Sequence, residues 1–400
     1  MRIVIVGNGL SGTIFAKTLR ELDGEAEIAL FEGEKYPYYP RPNLIEYLAG
    51  NLAYERLFAF QQEWYDAQKL RLHLGRRVSQ IHRRKKTVEL DGGEAVPYDK
   101  LLLANGAYAG LPPIQGVEKT GVFTLRTLDD VLAILDYLKD HPRVAVIGGG
   151  LLGLEIARAF KTRGAEVDVY EFFPRLLPRQ LDREGAAMLQ RQIEDTGIAV
   201  FCDVATQEIT GKTAAQGLRF KDGKEAAADM VVIAAGVRPR IELAQAAGLE
   251  TDRGIVVNDR LQTSDPDILA AGDSVQHRGR VYGIIPASFQ QARTAAHCLL
   301  GQEQDYSGTI PSNTLKVVGV DVTSIGLVNP EAEAVEEIRR EDPERRIYKK
   351  VVLQEGKLKG AIWMGTKQGV NEINRLIQKE IDVRPWKDQI LDEDFDFTSL

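Results

Sequence analysis

Cysteine is nearly missing from this chain: 400 residues hold two, Cys202 and Cys298, far apart and in unlike contexts. They form no CxxC or CxxxxC pair, which excludes a local redox dithiol. With five scattered histidines they build no recognisable zinc site, so no metal is expected. Both read as buried structural thiols. Long apolar runs are also missing. No stretch reaches the roughly 18 residues of a membrane span, and the N-terminus lacks a basic segment, a separate apolar segment and a cleavage site. The expectation is a cytoplasmic protein with no membrane partner. Positive charge is in deficit, 51 Lys and Arg against 58 Asp and Glu for a net charge of −7, which argues against nucleic acid as the principal partner.

What is there begins at once. Residues 1–12, MRIVIVGNGLSG, are an apolar strand running into Gly7-x-Gly9-x-x-Gly12 and then a helical pattern. A bound pyrophosphate needs this sequence of a tight turn, close backbone approach and helix N–H groups aimed at the anion. The next strand, EIALFE, ends on Glu32, twenty residues past Gly12, where a dinucleotide fold puts the carboxylate that takes both ribose hydroxyls. The device then repeats. RVAVIGGGLLGLE carries Gly148-x-Gly150-x-x-Gly153, and the strand AEVDVYE ends on Glu171. Two complete fingerprints predict two nucleotides. An acid at the second site favours NAD(H) over NADP(H), while Arg175 and Arg179 leave NADPH open.

Other stretches fall around these. YDKLLLANGA is a buried-type strand through Ala104 ending in Asn105-Gly106, and ADMVVIAAGVRPR, 228–240, matches it in form. TSDPDILAAGDSV puts an apolar strand before Gly272-Asp273, an aspartate placed to accept from a polyol hydroxyl or to cap a following helix. PASFQQARTAAHCLL is a helix opened by Pro286. The basic turn at 82–86, HRRKK, reads as a solvated hairpin, or more sharply as a docking patch for an acidic protein. From Thr309 alternating strands predict a small antiparallel sheet closed by the helix VNEINRLIQKEI, with 331–346 an exposed charged connection. The last thirteen residues carry five acids and no base. They read as a poorly ordered tail, with Phe395 and Phe397 as possible anchors.

The order of fingerprint, acid, ATG-like strand, second fingerprint with acid, second ATG-like strand and Gly-Asp site resembles the pyridine nucleotide-disulfide oxidoreductase superfamily across residues 1–385. YYPRPNLIEYLAG, LLPRQLD and NTLKVVGVDVTSIG are most similar to NADH:rubredoxin reductases and the flavin-binding part of the NAD(P)H nitrite reductase large subunit. The resemblance implies an α/β protein with two Rossmann-like dinucleotide-binding domains and a C-terminal α+β domain. FAD would occupy 1–108 and 237–308, NAD(H) 109–236, the α+β domain 309–385 and the acidic tail 386–400.

By position the resemblance puts Gly9, Leu10, Ser11 and Gly12 on the FAD pyrophosphate, Glu32 and Gly33 on its adenosine ribose, and Val78 beside the adenine. Arg41, Asp273, Ile285 and Lys316 would lie along the ribityl and flavin portion. The stiff loop 35–50 offers Arg41 and Pro42 to the flavin side, or is a packed Pro-Tyr surface turn. Gly150, Leu151, Leu152, Gly153 and Glu171 would hold NADH, with Glu155 and Gly236 near the nicotinamide. Glu155 and Lys316 are the candidate catalytic side chains. Related reductases often have Lys where this sequence has Glu46, pairing with the acid here numbered Glu155; if Glu46 approaches Glu155, two carboxylates share a site.

Without a dithiol, triad or metal cluster the chemistry is expected to be the cofactors' own, a hydride from NADH to FAD and single electrons to a small redox protein, rubredoxin first among candidates. Alternatives are a nitrite-reductase-type electron-input module, an NADH oxidase, or an FAD/NADH-binding redox sensor. A homodimer is possible.

Overall fold

A computed structural model describes residues 1–330 and 335–397, without the side chains of 315 and 317. The chain divides into two compact units, Met1–Tyr47 with Leu52–Ala109 and Val237–Thr309, and Leu48–Asn51 with Gly110–Gly236 and Ile310–Leu400.

The first unit is built on a five-stranded parallel sheet in the order Ile268–Ala270, Lys100–Leu103, Arg2–Val6, Glu27–Glu32, Leu70–Leu74. A central parallel strand is covered on both faces, so its residues are apolar without alternation. Ile3, Val4 and Ile5 are accordingly all buried. The helices Leu10–Leu22 and Ile285–Leu299 pack together, with Phe15, Leu19, Ala292 and Ala295 in one core. A three-stranded antiparallel meander follows, Val78–His82, Thr87–Leu90 and Ala95–Pro97. Its basic turn is exposed at Arg84, Lys85 and Lys86, as a solvated hairpin would be, and is also tied down. Arg83 donates to Asp265 at 2.7 Å and to the Gly248 carbonyl at 3.0 Å, and Lys86 reaches Asp267 at 2.5 Å. Two cations of the run are thus bound to the loop before Ile268.

The second unit repeats the plan with strands Ala199–Phe201, Glu166–Tyr170, Arg143–Ile147, Met230–Ile233 and Val122–Thr124 around the helix Leu151–Thr162. It also carries an antiparallel sheet in the order Ser312–Val317, Val320–Gly326, Lys357–Met364, Ile347–Gln354, Glu336–Asp342. The helix Val370–Lys379 covers this sheet with Ile373, Leu376 and Ile377, the i, i+3, i+4 stripe of an amphipathic helix.

Two expectations are corrected in the C-terminal sheet. The charged segment is not merely a connection: Glu336–Asp342 is an edge strand in register with Ile347–Leu353, while 331–334 lie outside the described residues. Its charge is absorbed by pairing, because the neighbouring Lys350 is buried and bonds Asp182, Glu337 and the Val328 carbonyl at 3.2, 3.0 and 3.0 Å. The tail is also placed rather than loose as far as 397. Ile390 and Leu391 are buried, Lys349 donates to the Leu391 carbonyl at 3.2 Å, and the Phe397 ring lies against Gly369. Residues 398–400 lie outside the described residues.

Candidate functional site

Each fingerprint is a cradle in which glycine is dictated by geometry. Gly7 has φ +103°, and a Cβ on it would stand 2.3 Å from the Ala104 carbonyl oxygen. A Cβ on Gly12 would stand 1.9 Å from the Gly7 carbonyl oxygen, so helix and turn touch backbone to backbone. Gly9 has nothing within 4 Å of where its Cβ would be, which is room for an incoming group. Gly9 is also the N-cap of Leu10–Leu22, with no side-chain cap and no acid in the first turn. Among the described residues no side chain caps this start, so the N–H groups of Leu10, Ser11 and Gly12 stand at the positive end of the helix dipole where an outside acceptor could take them.

The second cradle copies the first. Gly148 has φ +118° and meets the Ala234 carbonyl oxygen at 2.6 Å, Gly153 meets the Gly148 carbonyl oxygen at 1.9 Å, and Gly150 faces open space. Gly150 caps Leu151–Thr162 without a side chain and again without an acid in the first turn, so Leu151, Leu152 and Gly153 present their N–H groups.

The two acids are fixed in the same manner. Glu32 accepts from the Asn8 N–H at 2.7 Å on one oxygen and from the Glu34 N–H at 3.0 Å on the other. Glu171, 5% exposed, accepts from the Gly149 N–H at 2.5 Å and the Phe173 N–H at 2.7 Å. Each carboxylate bridges its fingerprint turn to the end of the following strand. Asn8 is a further member that the sequence pattern did not single out: it is buried, with its side chain donating to the Tyr65 hydroxyl at 3.0 Å.

The first unit brings a distant segment onto its cradle. Gly272 has φ +95°, and a Cβ there would lie 2.4 Å from the Ser11 hydroxyl. The Gly272 N–H donates to Gln291 at 2.8 Å, the Ser11 hydroxyl to the Ser288 carbonyl at 3.4 Å, and the Ser288 hydroxyl to Asp273 at 3.5 Å. Ser11, Gly272, Asp273 and Ser288 therefore form one cluster. Asp273 caps no helix, since the next element is the strand Val275–His277. Beside Gly7, Ala104 is buried and Gly106 has φ +68°. Asn105 donates to the Arg240 carbonyl at 3.1 Å, and its Oδ1 is buried with no partner among the described residues.

The remaining residues are less gathered. Arg41 donates to Glu34 at 2.6 Å and to the Tyr39 hydroxyl at 2.5 Å, so its guanidinium is held within its own loop. Pro42 is exposed and opens Asn43–Ala49. A Cβ on Gly33 would meet the Arg77 side chain at 3.4 Å. Val78 is buried at the start of the meander, and Ile285 is 57% exposed at a helix start. In the second unit Lys316 is exposed on Ser312–Val317, and Gly236, φ +95°, faces open space. Glu155 is forked by Arg158, with N···O distances of 3.0 and 2.9 Å, and accepts from the Val318 N–H at 2.9 Å.

Thiol chemistry has no support here. Both cysteines are free, and burial followed by the Glu171 charge pushes the half-buried Cys202 thiol up to about 11, so it is no nucleophile near neutrality. Among the described residues there is no metal-binding group of three or more His, Cys, Asp or Glu, and no helix is long and apolar enough to cross a membrane.

Residues 1–297 match the pyridine nucleotide-disulphide oxidoreductase family, and residues 311–381 the rubredoxin NAD+ reductase C-terminal domain. The chain belongs to that oxidoreductase family. It is 37% identical over 384 residues to a nitrite reductase [NAD(P)H] of Bacillus subtilis, covering 96% of this chain and 48% of that protein, so the chain spans about half the length of that relative. It is 30% identical over 366 residues to the NADH-rubredoxin oxidoreductase of Clostridium acetobutylicum, covering 91% of each. A solved putidaredoxin reductase-putidaredoxin complex superposes with TM-score 0.89 at 28% identity, covering 100% of this chain and 97% of that one. Flavoprotein reductases of this family bind FAD and NAD(P)H. Two uncapped helix starts over glycine cradles, two carboxylates fixed by backbone N–H groups and a buried Asn105 oxygen with no partner among the described residues fit those groups.

Proposed function

We propose that this chain is an NADH-dependent flavoprotein reductase serving a small one-electron carrier of the rubredoxin type in the cytoplasm. The chemistry that the two cofactors supply when bound is a hydride from NADH to FAD and the splitting of that pair into single electrons. The observation that carries the reading is the duplicated cradle and acid, supported by the match of 311–381 to a rubredoxin reductase domain.

In this reading the helix starts at 10–12 and 151–153 take the pyrophosphates of FAD and NADH, and Glu32 and Glu171 take the ribose hydroxyls. Asp273, oriented by Ser288, accepts from the ribityl chain. Val78 lies beside the adenine, Arg41, Pro42, Ile285 and Lys316 lie along the ribityl and flavin portion, and Gly236 is near the nicotinamide. Glu155 and Lys316 act by position and charge, with no side-chain nucleophile. NADH is favoured over NADPH because Glu171 repels a 2′-phosphate, and Arg175 spends its guanidinium on the Leu181 and Pro178 carbonyls at 3.3 and 3.2 Å.

The test is an acceptor screen with NADH as donor. Fast flavin bleaching by NADH and fast reoxidation by rubredoxin, with slow reoxidation by oxygen, supports the reading; reoxidation by oxygen alone overturns it. A second reading, the electron-input part of a nitrite reductase, is favoured by the 37% identity to a relative twice as long. It predicts slow transfer to rubredoxin and fast transfer once a nitrite-reducing partner chain is added.

A further inference from the structure

The hairpin between Ser312–Val317 and Val320–Gly326 turns on Val318 and Gly319, with φ +48° and +87° and Val317 opposite Val320. A two-residue turn with both central residues left-handed suits Asn-Gly or Gly-Gly. A β-branched valine there is a genuine outlier, because its Cβ crowds the backbone. Something must hold it. The Val318 N–H donates to Glu155 at 2.9 Å, a charge-assisted bond, and Arg158 grips the other carboxylate oxygen of Glu155 at 2.9 and 3.0 Å. Glu155 stands two residues past Gly153 on Leu151–Thr162, the helix whose uncapped start forms the second cradle. Lys316, exposed, stands two residues before the strained turn.

We propose that Glu155 is a positioning residue that pins the strained Val318 turn to the second fingerprint helix and thereby sets where Lys316 stands. Strain of this kind persists only where surrounding bonds over-determine it, and here the over-determining bond comes from the element that receives the nucleotide. Arg158 fixes the carboxylate, the carboxylate fixes the turn, and the turn fixes the strand end bearing Lys316. This deepens the proposed reductase function and rests on it only for the meaning of Lys316; the anchoring itself is independent of which acceptor is used.

The experiment is hydrogen exchange followed by mass spectrometry on the full chain without added nicotinamide nucleotide, read on peptides spanning 312–326. Glu155→Ala should speed exchange at the Val318 amide about tenfold, the order expected for losing one charge-assisted hydrogen bond from a local opening. Exchange across 230–233 should be unchanged. Glu155→Gln, whose amide oxygen still accepts, should recover most of the protection. Val318→Gly in the Glu155→Ala background should also recover part of it by removing the strain. Should Glu155→Ala not accumulate, Arg158→Ala is read in the same way, with about threefold faster exchange expected. Unchanged exchange at 312–326 in Glu155→Ala, or in Arg158→Ala where that is the variant read, overturns the assignment. An acceptor screen that fails while the exchange result holds overturns the functional reading alone.

Discussion

The two cradles can be broken one at a time by adding a single methyl group. In Gly12→Ala the new Cβ would sit 1.9 Å from the Gly7 carbonyl oxygen, and in Gly153→Ala 1.9 Å from the Gly148 carbonyl oxygen. Both fall roughly 1.5 Å short of ordinary van der Waals separation. The obstacle is backbone, so no side-chain rotation relieves it, and the helix start must move by about that distance. An N–H 2.9 Å from a phosphate oxygen would then stand beyond about 4 Å, outside hydrogen-bond range. Losing one or two charge-assisted bonds and part of the dipole interaction costs about 3–5 kcal/mol. That is roughly a hundredfold to several-thousandfold loss of affinity. Gly12→Ala should purify largely colourless yet bind ADP-ribose normally by calorimetry. Gly153→Ala should purify yellow yet bind ADP-ribose at least a hundredfold more weakly. Gly9→Ala and Gly150→Ala meet no atom within 4 Å, so they should keep the parent Tm while weakening the same two ligands. Full flavin content in Gly12→Ala, or nucleotide affinity within threefold of the parent in Gly153→Ala, would refute the reasoning.

Glu171→Ala should weaken NADH binding more than NADPH binding, since it removes both a hydroxyl acceptor and a charge that repels phosphate; equal losses by fluorescence titration would sink its role in reading the 2′ position. The network joining Asp182 to the C-terminal sheet makes a prediction in acid. Burial alone would push the Asp182 carboxyl up, but the Tyr348 hydroxyl at 2.5 Å, the Gly185 N–H and the Lys350 ammonium outweigh it and hold it below the ordinary carboxylate value. A depressed carboxyl adds stability that is full above its unfolded value of about 3.9 and is lost as pH falls through the folded value. Tyr348→Phe should therefore cost about 1–3 kcal/mol at neutral pH. In urea unfolding that deficit should shrink below about pH 4; a constant deficit from pH 6 to 3 counts against the account.

The sequence was most legible where one residue answers to one local demand. Gly12 and Gly153 are required by backbone contacts five residues away and Gly7 and Gly148 by a positive φ, so the fingerprints and the strands leading into them could be placed by spacing alone, while the Ala104 and Ala234 carbonyls that crowd Gly7 and Gly148 come from distant strands. Gly272 was legible as a strand-end turn, but its contact with Ser11 across 261 positions, and Gln291 as the acceptor of its N–H, depend on how two helices pack. The edge strand Glu336–Asp342 was hidden because its charges read as solvent. What makes it a strand is its backbone register with Ile347–Leu353, whose buried Lys350 pairs with Glu337 and with the distant Asp182, and no periodicity reports those partners. The Val318 turn was hidden for the opposite reason. KVVGV reads as continuous strand, and the acceptor of the Val318 N–H at the turn, Glu155, lies 163 positions away.

The match between the two lobes bears on what the acids do. Asn8 and Gly149 occupy the same place in their turns, as do Glu34 and Phe173 beyond their strands, and in each lobe one carboxylate takes both N–H groups. The acid thus holds the fingerprint turn closed and its remaining lone pairs fixed, which in the proposed nucleotide sites would cut the ordering cost of binding. It follows that the acids cannot be what distinguishes the two adenosine ends. The position after each acid differs: Gly33 lies under the Arg77 side chain, whereas Phe172 is 63% exposed. A cation lies by one position and an exposed ring, edge-to-face with Phe173, stands at the other, and if two nucleotides bind on this one backbone plan as proposed, discrimination between them is expected from such a difference.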